Sequence, residues 1–159
     1  MARAARYTEE RAWQKLWDGF ERGRQSQPGM SPNEAARAGV REATMKIYWS
    51  GAAIAFMADV ELRRRSDGKE SLDTVLSRLQ KCCLPSDRTW SGTELFRKLD
   101  TMIDEPLFMP LYKRYANTAG FPEVRPLFNR LGIDVDSGKV QFQSHAELTA
   151  IRASIMRKP

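Results

Sequence analysis

The sequence predicts an all-α multi-helix bundle with one minor β-hairpin. Three observations carry that prediction. Apolar residues recur at helical spacing in several separate windows, as with Trp13, Leu16, Trp17 and Phe20 at i, i+3, i+4 and i+7. Helix-start signals stand ahead of those windows, the plainest being "SPNE" at 31–34 and "SGTE" at 91–94. A single short stretch, "IDVDSGKVQF" at 133–142, alternates instead and turns at Ser137-Gly138.

In chain order, Thr8 is placed to cap a first helix carrying the Trp13–Phe20 stripe, which "RQSQPGM" breaks. Ser31 then reads as an N-cap, Pro32 as the first helical residue and Glu34 as the partner closing a capping box. From 45 to 62 apolar or small residues occupy nearly every face, the signature of a buried central helix. It is expected to stop near Gly68. Ser71 opens the next helix, with Leu72, Val75, Leu76 and Leu79 expected inward, and Ser91 with Glu94 opens another, with Leu95, Leu99, Met102 and Ile103 inward. "PLFMPLYKRYA" and "PEVRPLFNRL" predict two shorter helices, each with a proline in or just past its first turn, the second ended by Gly132. After the hairpin, "SHAELTAIRASIM" predicts a last helix capped by Ser144 and Glu147. Residues 8–142 are read as a helical lobe and 143–159 as a C-terminal helix and tail.

The 159 residues suffice for one domain with a real core, and 42% hydrophobic with 29% charged residues reads as globular. No run reaches the eighteen or so apolar residues of a bilayer span, and no signal peptide is evident, so the compartment stays open. The formal charge of +6 admits a nucleic-acid partner, but the 26 basic residues are interspersed with 20 acidic ones and none is expected. The densest basic cluster, Arg63 to Arg65, follows Asp59 and Glu61 at spacings that allow the pairs Asp59–Arg63 and Glu61–Arg65. Those two carboxylates point about 200° apart on a helix, the wrong geometry for joint acid–base work. Cys82 and Cys83 are adjacent, and no bridge between them is expected because a trans backbone holds neighbouring side chains apart. With His145 the sole histidine, no spaced zinc-ligand set exists, and no H-E-x-x-H, phosphate loop or G-x-S-x-G occurs.

The segment "YWSGAAIAFMADVELRRRSDGKESLDTVLSRL", followed by "WSGTELFRKLD" and "LYKRYANTAGFPEVRPLFNRLGI", resembles the C-terminal helical lobe of the glycyl-aminopeptidase family of thermolysin-like zinc metallopeptidases. The family pattern opens on Tyr-x-Lys-Gly-Ala, continues as an apolar helix to Asp-x-Glu-Leu/Ile-Arg, and then enters a Ser-Leu-Asp-Asp-Val-Leu helix. The likeness runs from about Trp13 to Phe142 and is densest from Tyr48 to Leu79. Ser50 departs from the family's usual lysine, and neither the α/β lobe carrying the zinc motif nor the family's peptide-binding domain is evident.

The resemblance implies a C-terminal fragment of a zinc aminopeptidase, inactive alone, forming one wall of a peptide cleft. Its partner would be an N-terminal α/β lobe that holds the zinc; no cofactor is expected in this chain. Tyr48 maps onto a tyrosine facing the zinc site. A phenol, with an unperturbed pKa of about 10, keeps its proton at neutral pH and can donate to the tetrahedral oxyanion of peptide hydrolysis. Gly51 would leave room for substrate or a crossing helix, while Trp49 reads as packing. A face normally covered by another lobe would make the isolated fragment prone to form a homodimer. The alternative from a different class is a stand-alone, non-catalytic helical protein-interaction module.

Overall fold

A helix that is apolar on every side must be enclosed on every side, and the arrangement of the whole chain follows from that requirement. The computed structural model describes residues 8–156. In it the long apolar run forms α3 (Thr44–Arg65), with α1 (Glu9–Gln25), α2 (Pro32–Ala38) and a 3-10 turn (Arg41–Ala43) before it. After it come α4 (Leu72–Cys83), α5 (Gly92–Asp100), α6 (Phe108–Tyr115), α7 (Arg125–Arg130), the hairpin β1 (Ile133–Asp136) and β2 (Lys139–Phe142), and α8 (Thr149–Ile155). The chain is all-α with a minor two-stranded element, as the periodicity indicates. No helix among the described residues is long and apolar enough to cross a membrane.

Two cores meet at α3. The first gathers Trp13, Trp17 and Phe20 of α1, Ala53, Phe56 and Val60 of α3, Phe128 of α7, Ile133 and Val135 of β1, and Leu148. Phe128 is its hub: the rings of Trp13, Trp17, Phe20 and Phe56 lie 5.4–6.1 Å from it, all near edge-to-face. Such pairs each add about 0.5–1.5 kcal/mol beyond burial itself. The second core sets Ala58 and Leu62 of α3 against Val75 and Leu79 of α4, Leu99 of α5, and Leu107 and Phe108 at the start of α6. Fully buried Ala53 and Ala58 keep α3 slim where neighbours press on it.

The caps read from sequence at Thr8, Ser31, Ser71 and Ser91 are in place, the last three as reciprocal capping boxes. Ser137 and Gly138 both take positive φ, as a two-residue type I′ hairpin turn demands. The hairpin pairs Ile133 with Phe142 and Asp136 with Lys139. It is tied to α1 by Gln14, whose amide donates to the Gly138 carbonyl at 2.8 Å and accepts from Val140 N–H at 2.9 Å.

Two expectations need correction. The last helix begins at Thr149 and is not capped by Ser144 or Glu147; Thr149 Oγ1 closes a local turn on Ala146 instead, and Glu147 reaches Arg130 at 2.7 and 2.9 Å. Leu76 is 42% exposed, because α4 packs through the Val75–Leu79 edge and Leu76 lies on its flank.

Asp100 organises the join between α5 and α6. Its carboxylate accepts from the backbone N–H groups of Leu107, Phe108 and Met109 at 2.7–2.9 Å, capping a helix that has no side-chain cap of its own at Leu107. Asp100→Ala leaves those donors unsatisfied beside the second core. It should lower stability by about 2 kcal/mol, read as a shifted urea midpoint with unchanged slope.

Candidate functional site: the open face of the central helix

The first two turns of α3 are enclosed on one side only. Lys46, Ser50, Ala53 and Ile54 are buried, whereas Thr44, Ile47, Tyr48 and Gly51 are exposed. At spacings of three and four these latter residues form a single stripe. Val40 and Met45 extend the exposed apolar surface at the same end. Tyr48 is 64% exposed, the most open of the large hydrophobic side chains described. A Cβ built on Gly51 meets no atom within 4 Å, so nothing packed on this helix within the described chain requires glycine there.

Trp49 anchors this end of the helix. Its indole lies against α1 where Gly19 and Gly23 stand; a Cβ at Gly19 would come within 2.0 Å of the indole, and one at Gly23 within 2.4 Å of the Trp49 Cβ. Phe20 meets the indole edge-on at 6.1 Å and Arg22 lies over it at 5.4 Å. The Tyr48 ring in turn rests edge-on against Trp49, 5.1 Å between centroids. The packing role read for Trp49 is thus what the structure contains, and the two α1 glycines are its sequence counterpart.

Beneath the stripe lies a feature that sequence reasoning missed. Lys46 and Ser50, one turn apart, are fully buried, and neither Lys46 Nζ nor Ser50 Oγ has a hydrogen-bond partner. The ammonium lies 5.9 Å from the Phe121 ring centroid, a distant cation–π contact. Burial, and then the nearby Arg24 guanidinium, hold its pKa below that of an ordinary lysine. The available signal was a lysine and a serine at i, i+4 inside an otherwise apolar helix.

The carboxylates of α3 act as structural ion pairs. Asp59 binds Arg63 at 2.9 Å and accepts from Leu72 N–H at 2.8 Å, while Glu61 binds Arg64 and Arg65 at 2.7–2.8 Å. Hydrogen bonds from Arg64 chiefly, and from Arg65, pull the Glu61 pKa down to about 2 against the opposing effect of burial.

Two concave surfaces, of about 520 and 440 Å³, lie away from Tyr48 and Gly51. The larger is floored by Leu62, Met102 and Ile103, and its arginines are already engaged, Arg65 with Glu61 and Arg78 with Glu70. Among the described residues no three His, Cys, Asp or Glu side chains converge as a metal-ligand group would.

The cysteines correct the sequence reading. Cys82 and Cys83 are bonded to each other, Sγ to Sγ, across adjacent residues at the end of α4. The trans-backbone argument underestimated how far two neighbouring side chains can turn towards one another where a helix ends.

No known family model matches this chain, nor does any curated protein or any solved structure.

The buried Lys46 has a pH signature. Its pKa is lower folded than unfolded, so between the lowered value and the ordinary 10.5 the unfolded chain binds the proton more tightly and folding gains stability as pH rises. Lys46→Met, which removes the buried charge, should stabilise the chain at pH 7. That advantage should shrink as pH approaches 10.5, measured as the difference in denaturant midpoint between the two chains.

Proposed function

We propose that the chain is the helical lobe of a peptidase of the glycyl-aminopeptidase type, whose metal is carried on a separate α/β lobe. In this reading the open face of α3 is one wall of the peptide cleft. The observation that carries it is the uncovered stripe of Ile47, Tyr48 and Gly51 on a helix otherwise made to be enclosed. Exposed contiguous apolar surface usually marks an interaction site. The order of segments that resembles the family lends independent support, because it puts the family's tyrosine at the most open position of that stripe.

The chemistry asked of this chain is modest. The bare edge at Gly51 leaves room for a substrate backbone beside the helix. The Tyr48 hydroxyl would donate a hydrogen bond to the oxygen that gains negative charge as a peptide carbonyl becomes tetrahedral. Trp49, seated on α1, supports one side of the ring from which that hydroxyl projects.

One observation favours the second reading, a non-catalytic docking module. Contact with Trp49 leaves the Tyr48 side chain largely open, and an oxyanion donor works best when its aim is set beforehand. The two readings separate on one substitution. In the assembled peptidase, Tyr48→Phe should lower kcat on aminoacyl anilides by about 100- to 1,000-fold with KM nearly unchanged, because the oxyanion exists only late along the reaction. Unaltered turnover would leave the stripe as a docking surface alone.

Both readings expect the uncovered face to be adhesive. A two-fold contact is the simplest outcome, since one self-complementary patch suffices. Sedimentation over a concentration series should show a dimer, and Tyr48→Lys should weaken it. Trp49→Lys is the poorer probe, because Trp49 is part of the α1–α3 packing. A chain that stays monomeric at high concentration and binds no apolar dye would argue against both readings.

A further inference from the structure

We infer that Cys82 and Cys83 form a reversible thiol–disulfide site whose reduced form is a two-sulfur chelator for soft, thiophilic centres such as a trivalent arsenical. Three observations carry this. The bridge joins adjacent residues, so it closes the shortest loop a chain allows. Loop closure is the main way a disulfide stabilises a fold, and its contribution grows with loop length, so this bridge is the least suited of any to serve as a staple. Second, Cys82 is exposed at the end of α4 while Cys83 packs against the second core, so one sulfur is open to attack and the other is held in place. Third, the Leu79 carbonyl lies 3.5 Å from Cys82 Sγ. A bridged sulfur has no proton to donate there, whereas a thiol has, so the reduced state finds an acceptor already waiting.

The exchange balances without other participants than a dithiol reductant. A reductant thiolate attacks Cys82 Sγ; the S–S bond breaks, and Cys83 leaves as a thiolate and takes up a proton. The second thiol of the reductant then displaces Cys82, closing the reductant's own disulfide, so two electrons pass from reductant to protein. The reduced pair condenses with an organoarsenic(III) oxide by forming two As–S bonds, the arsenic-bound oxygen leaving as water with the two thiol protons. Adjacent residues suit this step because both sulfurs are already side by side, and soft thiolates favour soft centres.

The test uses the full chain and phenylarsine oxide. The oxidised chain should bind none. After dithiothreitol treatment and removal of the reductant, it should bind one equivalent per chain by mass spectrometry, with the helical circular-dichroism signal unchanged. Reoxidation should restore the original mass and abolish binding. Cys82→Ser and Cys83→Ser should each abolish tight binding; should either variant fail to fold, prior blocking of the reduced wild type with N-ethylmaleimide gives the same readout. Loss of helix on reduction would make the bridge structural and overturn the proposal. So would a reduced, folded chain that takes up no arsenic, or a chain kept under air that titrates with two free thiols.

Discussion

Enclosure of α3 is the constraint on which the other elements depend. One helix contributes to both cores, giving Phe56 and Val60 to one and Ala58 and Leu62 to the other. Its neighbours can approach on several sides only where side chains are small, on α3 itself at Ala53 and Ala58 and on α1 at Gly19 and Gly23. Interiors packed to this density tolerate added volume poorly. The Trp49–glycine contact is the sharpest instance, because an indole takes the place two Cβ atoms would fill. The same contact seats the N-terminal end of α3 on α1, with Tyr48 on the outside.

Polar groups hold the remaining geometry from a distance. Asp59 satisfies the first N–H of α4 and Asp100 those at the start of α6, each a carboxylate on one helix finishing the end of another. Arg152 of α8 does the corresponding work for carbonyls, donating to Leu131 and Gly132 at 3.3 and 2.7 Å while its guanidinium lies over Phe142. Burial raises the worth of such bonds, since an unmet backbone group away from water costs about as much as the bond is worth. Lys46 Nζ and Ser50 Oγ depart from this pattern, both buried with no hydrogen-bond partner, and burial, with Arg24 nearby, lowers the pKa of the lysine.

The open stripe at Ile47, Tyr48 and Gly51 is the other side of the same constraint. Helices enclose α3 along most of its length, but the described residues leave one face of its first two turns exposed. Contiguous exposed apolar surface of this kind usually marks a site of interaction. On the two concave surfaces, by contrast, Arg24, Arg65 and Arg78 are already paired with carboxylates.

Local signals in the sequence determined the helices, the caps at Thr8, Ser31, Ser71 and Ser91, and the hairpin. Ser31, Ser71 and Ser91 cap where they do because the bonds they make close within three residues, and Ser137-Gly138 turns because both residues accept positive φ. The ion pairs Asp59–Arg63 and Glu61–Arg65 were legible for the same reason, being one helical turn long. Of the candidate site, the sequence marked Tyr48, Gly51 and the packing role of Trp49, but not their surroundings. Tertiary structure alone decided that Tyr48 faces outward, that Lys46 and Ser50 are buried, that Leu76 is on a flank, and that Asp100 caps a helix seven residues on. It also decided that Glu147 serves Arg130 instead of its own helix. Each of these depends on which element lies across from a residue, and a helix that is apolar on all faces carries no periodicity to say which face its neighbours will leave uncovered.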